Sequence, residues 1–279
     1  MGYKFEYEGE RSLYGIKNQV VESTKFLFGE SPLKECKDIE VNNSCFTYKY
    51  PLWYGKNIKV YNCLFENMAR SGIWYTNNIC VKDTIFDSPK MFRRCNNVKI
   101  ENTKFNDAQE TFWNSKDIKI KKTYVKGDYF MMNSSDCEIE DLTLDGNYFF
   151  DGGNNLIIKD SVLNSKDAFW NCHNVTVINC KIIGEYIGWN SNDLTFIDCT
   201  IESHQGFCYI NNLKLENCML INTDLSFELC KGIDAKINSK IESIKNPIDG
   251  KIVCKGYNEL IMDSNIIDPD KTKIIVEKE

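Results

Sequence analysis

The five tryptophans, Trp53, Trp74, Trp113, Trp170 and Trp189, each stand four residues before an Asn or Asp that opens a short apolar-alternating stretch. The chain rewrites itself around them: "FWNSKDIKIKKT" at 112–123, "FWNCHNVTVINC" at 169–180 and "GWNSNDLTFIDC" at 188–199. The same column holds Tyr14, Lys34, Arg93, Met132, Asp151, Cys208 and Glu228. An outward row of flat apolar rings, interrupted by a guanidinium and a carboxylate, offers sugar rings both stacking faces and polar handles. The expected substrate-binding set is Trp53, Trp74, Arg93, Trp113, Met132, Asp151, Trp170 and Trp189, with Asp151 and Arg93 as catalytic candidates. The competing reading is packing, in which loops, caps or a partner subunit cover the rings, or the rings face the core.

Parity favours the outward placement. One residue earlier runs a Leu/Ile/Phe/Met column, which includes Leu52, Ile73, Phe92, Phe112, Phe150, Phe169 and Phe207 and is broken only by Gly188. Successive strand residues point to opposite faces, so both columns cannot face inward. Arg93 and Asp151 would be costly in a narrow apolar core. A polar column eight before the anchor (Glu30, Lys49, Arg70, Asp128, Lys166, Glu185, His204, Asp224) is expected to flank the tryptophans. On a straight strand it would stand roughly 13 Å away, too far for a glycosidase carboxylate pair. Asp151 and Asp167 are closer but of opposite parity. No catalytic constellation emerges, and the residues leave open whether the protein is an enzyme; a polysaccharide lyase or glycoside hydrolase would be the class.

These columns require a repeating support. The anchors are Asn18, Asp38, Asn57, Asn78, Asn97, Asp117, Asp136, Asn155, Asn174, Asp193 and Asn212, continued weakly by Gly232, at steps of 19–21 residues. At plus one and plus three come Ile, Val, Leu or Phe, as in Ile58/Val60 and Val175/Val177, with polar residues between. That is strand alternation with one face buried. At plus five stands a turn residue such as Asn62 or Asp160, at plus six a small one such as Cys180 or Thr103, and at plus eight a bulky one such as Phe65 or Ile182. Three short strands per repeat leave no room for a helix; a leucine-rich repeat would need an L-x-x-L-x-L pattern with an Asn beyond it, and a propeller about 40 residues per blade. The fold class is all-β, a single-stranded right-handed parallel β-helix of about twelve rungs. One domain spans 1–279, with 1–17 as N-terminal cap, 18–245 as regular rungs, and 246–279 as last rungs and C-terminal cap.

Composition removes several classes. Net charge is −6, with Lys and Glu interspersed, which argues against nucleic acid. No apolar run is long enough to span a membrane, and the start "MGYKFEYEGE" has no signal-peptide core. Thirteen Cys without a CxxC, and only His173 and His204, argue against a metal site and imply no cofactor. Cys63, Cys180, Cys199 and Cys218 fill the small plus-six column, which Ser and Thr also occupy, so packing is expected rather than bridging. A cytoplasmic setting follows as the expectation. The expected partners are an oligosaccharide or, in the alternative, a protein docked by a non-catalytic scaffold, including a second copy through the aromatic stripe.

The strings "GESPLKE" (29–35), "YPLWYGKNI" (50–58), "SGIWYTNNI" (71–79), "SPKMFRRC" (88–95), "GDYFMMNS" (127–134), "LDGNYFFDG" (144–152), "SKDAFWN" (165–171) and "GEYIGWNS" (184–191) resemble a bacterial family catalogued as domain of unknown function 3737. The rung pattern resembles the pectin-lyase-like β-helices. The resemblance implies the fold and supplies no activity.

Overall fold

The structure, a computed structural model, describes residues 2–277. It is an all-β parallel solenoid of about 14 turns. Among the described residues the one helical element is a 3-10 turn, Pro269–Lys271. Two compact units divide the chain, Met1–Thr143 and Leu144–Glu279.

In the first unit Lys17–Glu22, Lys37–Asn42, Lys56–Tyr61, Asn77–Lys82, Asn96–Glu101 and Lys116–Lys126 pair in parallel, each on the next. The register keeps every column intact: Ile39, Ile58, Ile79, Val98 and Ile118 are successive partners, as are Val41, Val60, Val81, Ile100 and Ile120. The second unit repeats this with Asn154–Lys159, His173–Ile178, Asn192–Ile197 and Asn211–Leu220.

The anchors explain the corners. Asn57, Asn78 and Asn97 lie at φ 55°, 57° and 54°, and the plus-five residues Asn43, Asn62 and Asn102 at 51°, 49° and 47°. Asn and Asp adopt this left-handed conformation at lower cost than other side-chain-bearing residues. Their amides also bond up the solenoid: Asn78 Nδ2 donates to Asn57 Oδ1 at 2.8 Å, Asn62 to Asn43 at 2.6 Å, and in the second unit Asn179 to Asp160 at 2.6 Å.

The core is built of columns that trade volume. In the first unit the plus-eight rings Phe26, Phe46, Phe65, Phe86 and Phe105 stack at centroid spacings of 4.8, 4.6, 4.6 and 4.7 Å. Opposite them the minus-five column begins with Leu33, Leu52 and Ile73. In the second unit plus eight is aliphatic (Leu163, Ile182, Ile201, Leu220) and the rings move to minus five (Phe150, Phe169, Phe207, Phe227). The changeover begins within the first unit, where Phe92 and Phe105 are both buried on one turn and Phe112 follows at minus five, stacked on Phe92. Gly188 breaks the column for a specific reason. Its φ is 77°, and a Cβ there would meet Leu194 Cδ1 at 2.7 Å and Ile210 Cδ1 at 2.8 Å. Phe196, at plus three on the same turn, is fully buried and contacts Phe169 and Phe207.

The ends carry more structure than the sequence register suggests. Phe5–Tyr7 pairs in parallel with Thr24–Phe26, so the segment expected as a cap supplies a strand of a turn. After Gly232 the strands Ile233–Ile237, Gly250–Cys254 and Thr272–Val276 pair in parallel, and Lys240–Lys245 pairs with Gly256–Ile261. Turns continue where the anchor spacing has dissolved, which raises the number from about twelve to about 14.

The plus-six cysteines are buried thiols, and Cys63 and Cys180 donate to the carbonyls of Tyr61 and Ile178 at 3.2 Å. A second thiol column, two before the anchor, holds Cys36, Cys95, Cys172 and Cys230, with Thr76, Ser115, Ser134 and Ser191 as hydroxyl substitutes. Ser191 Oγ donates to the Phe169 carbonyl at 2.7 Å, and Cys95 Sγ to that of Ile73 at 3.1 Å. Every described cysteine is free. Burial pushes the Cys36 and Cys180 thiols up to about 11 and those of Cys63 and Cys95 up to about 12.

Candidate functional site

All five tryptophans face outward and are half-buried. Four of them tie their indole N–H to a backbone carbonyl of the next turn: Trp53 to Ser71 at 2.5 Å, Trp74 to Lys90 at 2.7 Å, Trp113 to Tyr129 at 2.8 Å and Trp170 to Tyr186 at 2.8 Å. Each ring is therefore laid along the surface with a fixed edge and one rim to solvent.

The accepting carbonyls share one column, seven before the anchor. Ser71, Glu110, Tyr129, Tyr148, Asp167, Tyr186 and Gln205 in that column are all left-handed, at φ 45–58°. This is a corner, so strand alternation fails there, and the side chains of minus seven swing toward the tryptophans. Tyr50, Tyr129, Tyr148 and Tyr186 contact Trp53, Trp113, Trp170 and Trp189 at ring centroids of 4.6, 6.4, 5.8 and 5.9 Å. The true flank of the tryptophan stripe is therefore minus seven, one residue from the expected minus-eight column. A tyrosine three residues before Trp53 and Trp189, and likewise before Met132 and Asp151 of the same column, was the signal.

In the first unit the stripe is closed. Trp53 and Trp74 stack at 5.1 Å and 8°. Arg93 lies over Trp74 at 4.5 Å and over Trp113 at 4.8 Å, and Nη2 meets Glu110 at 3.4 Å. Lys90 meets the same carboxylate oxygen at 3.1 Å. Arg93 Nε is buried with no hydrogen-bond partner among the described residues. A second ladder runs beside this one: Lys34 over Tyr54 at 5.6 Å, Tyr54 on Tyr75 at 4.8 Å and 6°, and Arg94 over Tyr75 at 5.9 Å. Met132 continues the tryptophan column, half-buried.

In the second unit the stripe is splayed. Trp170 and Trp189 are 5.7 Å apart but tilted by 33°, and Trp189 and Tyr209 are 4.7 Å apart at 40°. The residue before the indole is left-handed at Phe169, φ 61°, and Gly188, 77°, as it is at Phe112, 64°, before Trp113 of the first unit, whereas Leu52 and Ile73 are not among the positive-φ residues. Ile73–Trp74 instead forms a short strand with Phe92–Arg93.

Asp151 accepts from Asn171 Nδ2 at 3.0 Å, and Asn190 continues the ladder onto Asn171 at 2.9 Å. Asp167 belongs to the left-handed corner, and its carboxyl is held above the ordinary value. Desolvation leads, a hydrogen bond with Tyr148 opposes it, and the charges of Glu185 and Asp151 add to the rise. The charge of Asp151 thus reaches Asp167 despite their opposite parity, since Asp167 sits at the corner. Lys166 meets Glu185 at 2.8 Å, Glu185 is the register partner of His204, and His204 Nδ1 meets Asp224 Oδ2 at 3.0 Å. The two catalytic candidates lie in different units, Arg93 bound to two indoles and Glu110, Asp151 bound to Asn171. Among the described residues no group of His, Cys, Asp and Glu is placed to hold a metal ion.

The model of the family described as "Protein of unknown function (DUF3737)" matches residues 3–275. The chain belongs to that family. No curated protein matches. Among solved structures the chain is similar to PfbA, a surface adhesin of Streptococcus pneumoniae, at 11% identity and TM-score 0.42, covering 85% of this chain and 81% of that one. It is similar to a mutant tailspike protein of E. coli bacteriophage HK620 in complex with a pentasaccharide, at 8% identity and TM-score 0.49, with coverages of 92% and 70%. It is also similar to the A-module of the mannuronan C-5 epimerase AlgE4 of Azotobacter vinelandii, at 7% and 0.33, with coverages of 98% and 87%. All three scores fall short of 0.5, and these likenesses carry no argument about what this chain binds.

Proposed function

We propose that the protein binds an oligosaccharide on its outward aromatic stripe, with Trp170 and Trp189 as the platform. The supporting observation is the splay of Trp170, Trp189 and Tyr209, at 33° and 40°. Rings that are not face to face leave part of a π-face for the C–H side of a sugar. Asp151, Asn171 and Asn190 border the fan and supply polar groups for hydroxyls. In this reading the stack of Trp53, Trp74, Arg93 and Trp113 is the support of the stripe, because its ring faces are already covered. That same closed stack favours a second reading, a non-catalytic scaffold that uses its aromatic column for packing.

Tryptophan fluorescence, titrated with a panel of neutral and acidic oligosaccharides, separates the two. A saturable change that is lost in Trp170→Ala and Trp189→Ala but kept in Trp53→Ala is the expected result. No saturable change with any saccharide would sink the platform and leave the scaffold.

A further inference from the structure

The same outward columns carry opposite charge in the two units. In the first they present Lys34, Lys49, Arg70, Lys90 and Arg94 around the stacked Tyr54 and Tyr75. Arg70 and Arg94 are exposed and form no ion pair among the described residues, and Lys34 forms none either. Glu30 and Glu110 compensate Lys49, Lys90 and Arg93 in part, and Glu35 and Asp128 stand in the same columns, so the cationic surplus is smaller than the basic residues alone suggest. In the second unit the columns present Asp151, Asp167, Glu185, Asp224 and Glu228 around Trp170, Trp189 and Tyr209. Here Lys166 and Lys245 compensate Glu185 and Glu228, each at 2.8 Å, and His204 faces Asp224. The surplus is positive on one face and negative on the other, in a chain whose net charge is −6.

We propose that the cationic, tyrosine-lined face of one copy docks on the acidic, aromatic face of a second copy of this chain. Three features support a second copy over another partner. The two faces are complementary in sign. Both are rigid and ladder-like, with charges recurring once per turn at about 4.8 Å, so cations on successive turns meet carboxylates on successive turns in register. Both carry an exposed Tyr, Tyr54 at 49% and Tyr209 at 38%, and the cationic face adds Arg70 and Arg94; Tyr and Arg are the groups that dominate stable protein contacts. The crowding of Asp167 by Glu185 and Asp151 is relieved when a cation approaches. The inference does not rest on the saccharide reading. It covers Trp170 and Trp189, so a second copy and an oligosaccharide would compete for that face.

Sedimentation equilibrium of the full chain tests this. The expected result is self-association above the 32.4 kDa monomer that weakens at least about tenfold between about 50 and about 500 mM salt. The double variant Arg70→Glu/Arg94→Glu should sediment as a monomer at low salt. So should Glu185→Lys/Asp224→Lys, and an equimolar mixture of the two should regain a complex, because each keeps the face that the other has inverted. A strict monomer at every salt and concentration would overturn the proposal. So would association that survives both charge reversals, or a mixture of two folded variants that stays monomeric. If circular dichroism shows that either variant is unfolded, the salt dependence of the native chain decides alone. Saccharide binding with no self-association would overturn this proposal and leave the oligosaccharide reading intact.

Discussion

The outward column of the first unit is a closed stack, and the outward column of the second unit is an open fan. Both begin from the same sequence rule, a tryptophan four before the anchor. The torsion before the tryptophan does not separate them, since it is left-handed at Phe112 in the first as well as at Phe169 and Gly188 in the second. They diverge in what stands between the rings: Arg93 fills the gap between two indoles in the first, while Asp151 and Asp167 stand beside the second. The lesson is that a repeat fixes which side chains point outward, whereas the residue that stands between two rings decides whether their faces are covered.

The closed stack is broken most directly at its wedge. Arg93→Ala should destabilise the protein by about 2–3 kcal/mol, since it removes two cation–π contacts and one of the two cationic partners of Glu110; urea unfolding measures it. A loss below about 0.5 kcal/mol would mean that the stack is incidental. The left-handed position comes next. Phe169→Ile puts a β-branched residue at φ 61° and should cost about 2 kcal/mol, whereas Leu52→Ile, at a residue without positive φ, should cost less than about 1. Equal losses would mean that the left-handed torsion at Phe169 carries no cost of its own.

The asparagine ladders are common to both units and should not distinguish them. Asn62→Ala and Asn179→Ala should each cost about 1–2 kcal/mol, from one hydrogen bond and one left-handed residue. A large difference between the two would show that the units are not built alike. The smallest effect is electrostatic. The Asp167 carboxyl is raised, so the folded protein holds this proton more tightly than the unfolded chain. Its charge therefore opposes folding at neutral pH, and the penalty fades as pH falls through the folded-state value. Asp167→Asn should raise Tm by about a degree at neutral pH, and the gap should close in acid. A gap that widens in acid would reverse the assigned cause.

Much of the site was legible because strand alternation is a strict rule. The column of Trp53 to Trp189 was assigned outward from the apolar column beside it and from Arg93 and Asp151 within it, and all five rings are half-buried on the outer side. What was not legible was the corner at minus seven. A left-handed residue interrupts the alternation, so Asp167 read as belonging to the opposite face, and Tyr148 and Tyr186 of the same column drew no reading. The roughly 13 Å expected across a straight strand to minus eight missed the groups that lie beside the rings.

The sequence by itself determined the fold, the register and the burial of each column. Every turn must place the same residue type at the same position, since each rung is stacked on the last. It determined the ends less well, because the strands near Phe5 and beyond Gly232 pair without the anchor spacing. Only the tertiary structure decided that Arg93 lies between Trp74 and Trp113, that Trp170 and Trp189 splay, and that Asp167 feels Asp151 and Glu185. Those facts depend on contacts between turns and on the torsion at a corner, and a one-dimensional pattern carries neither.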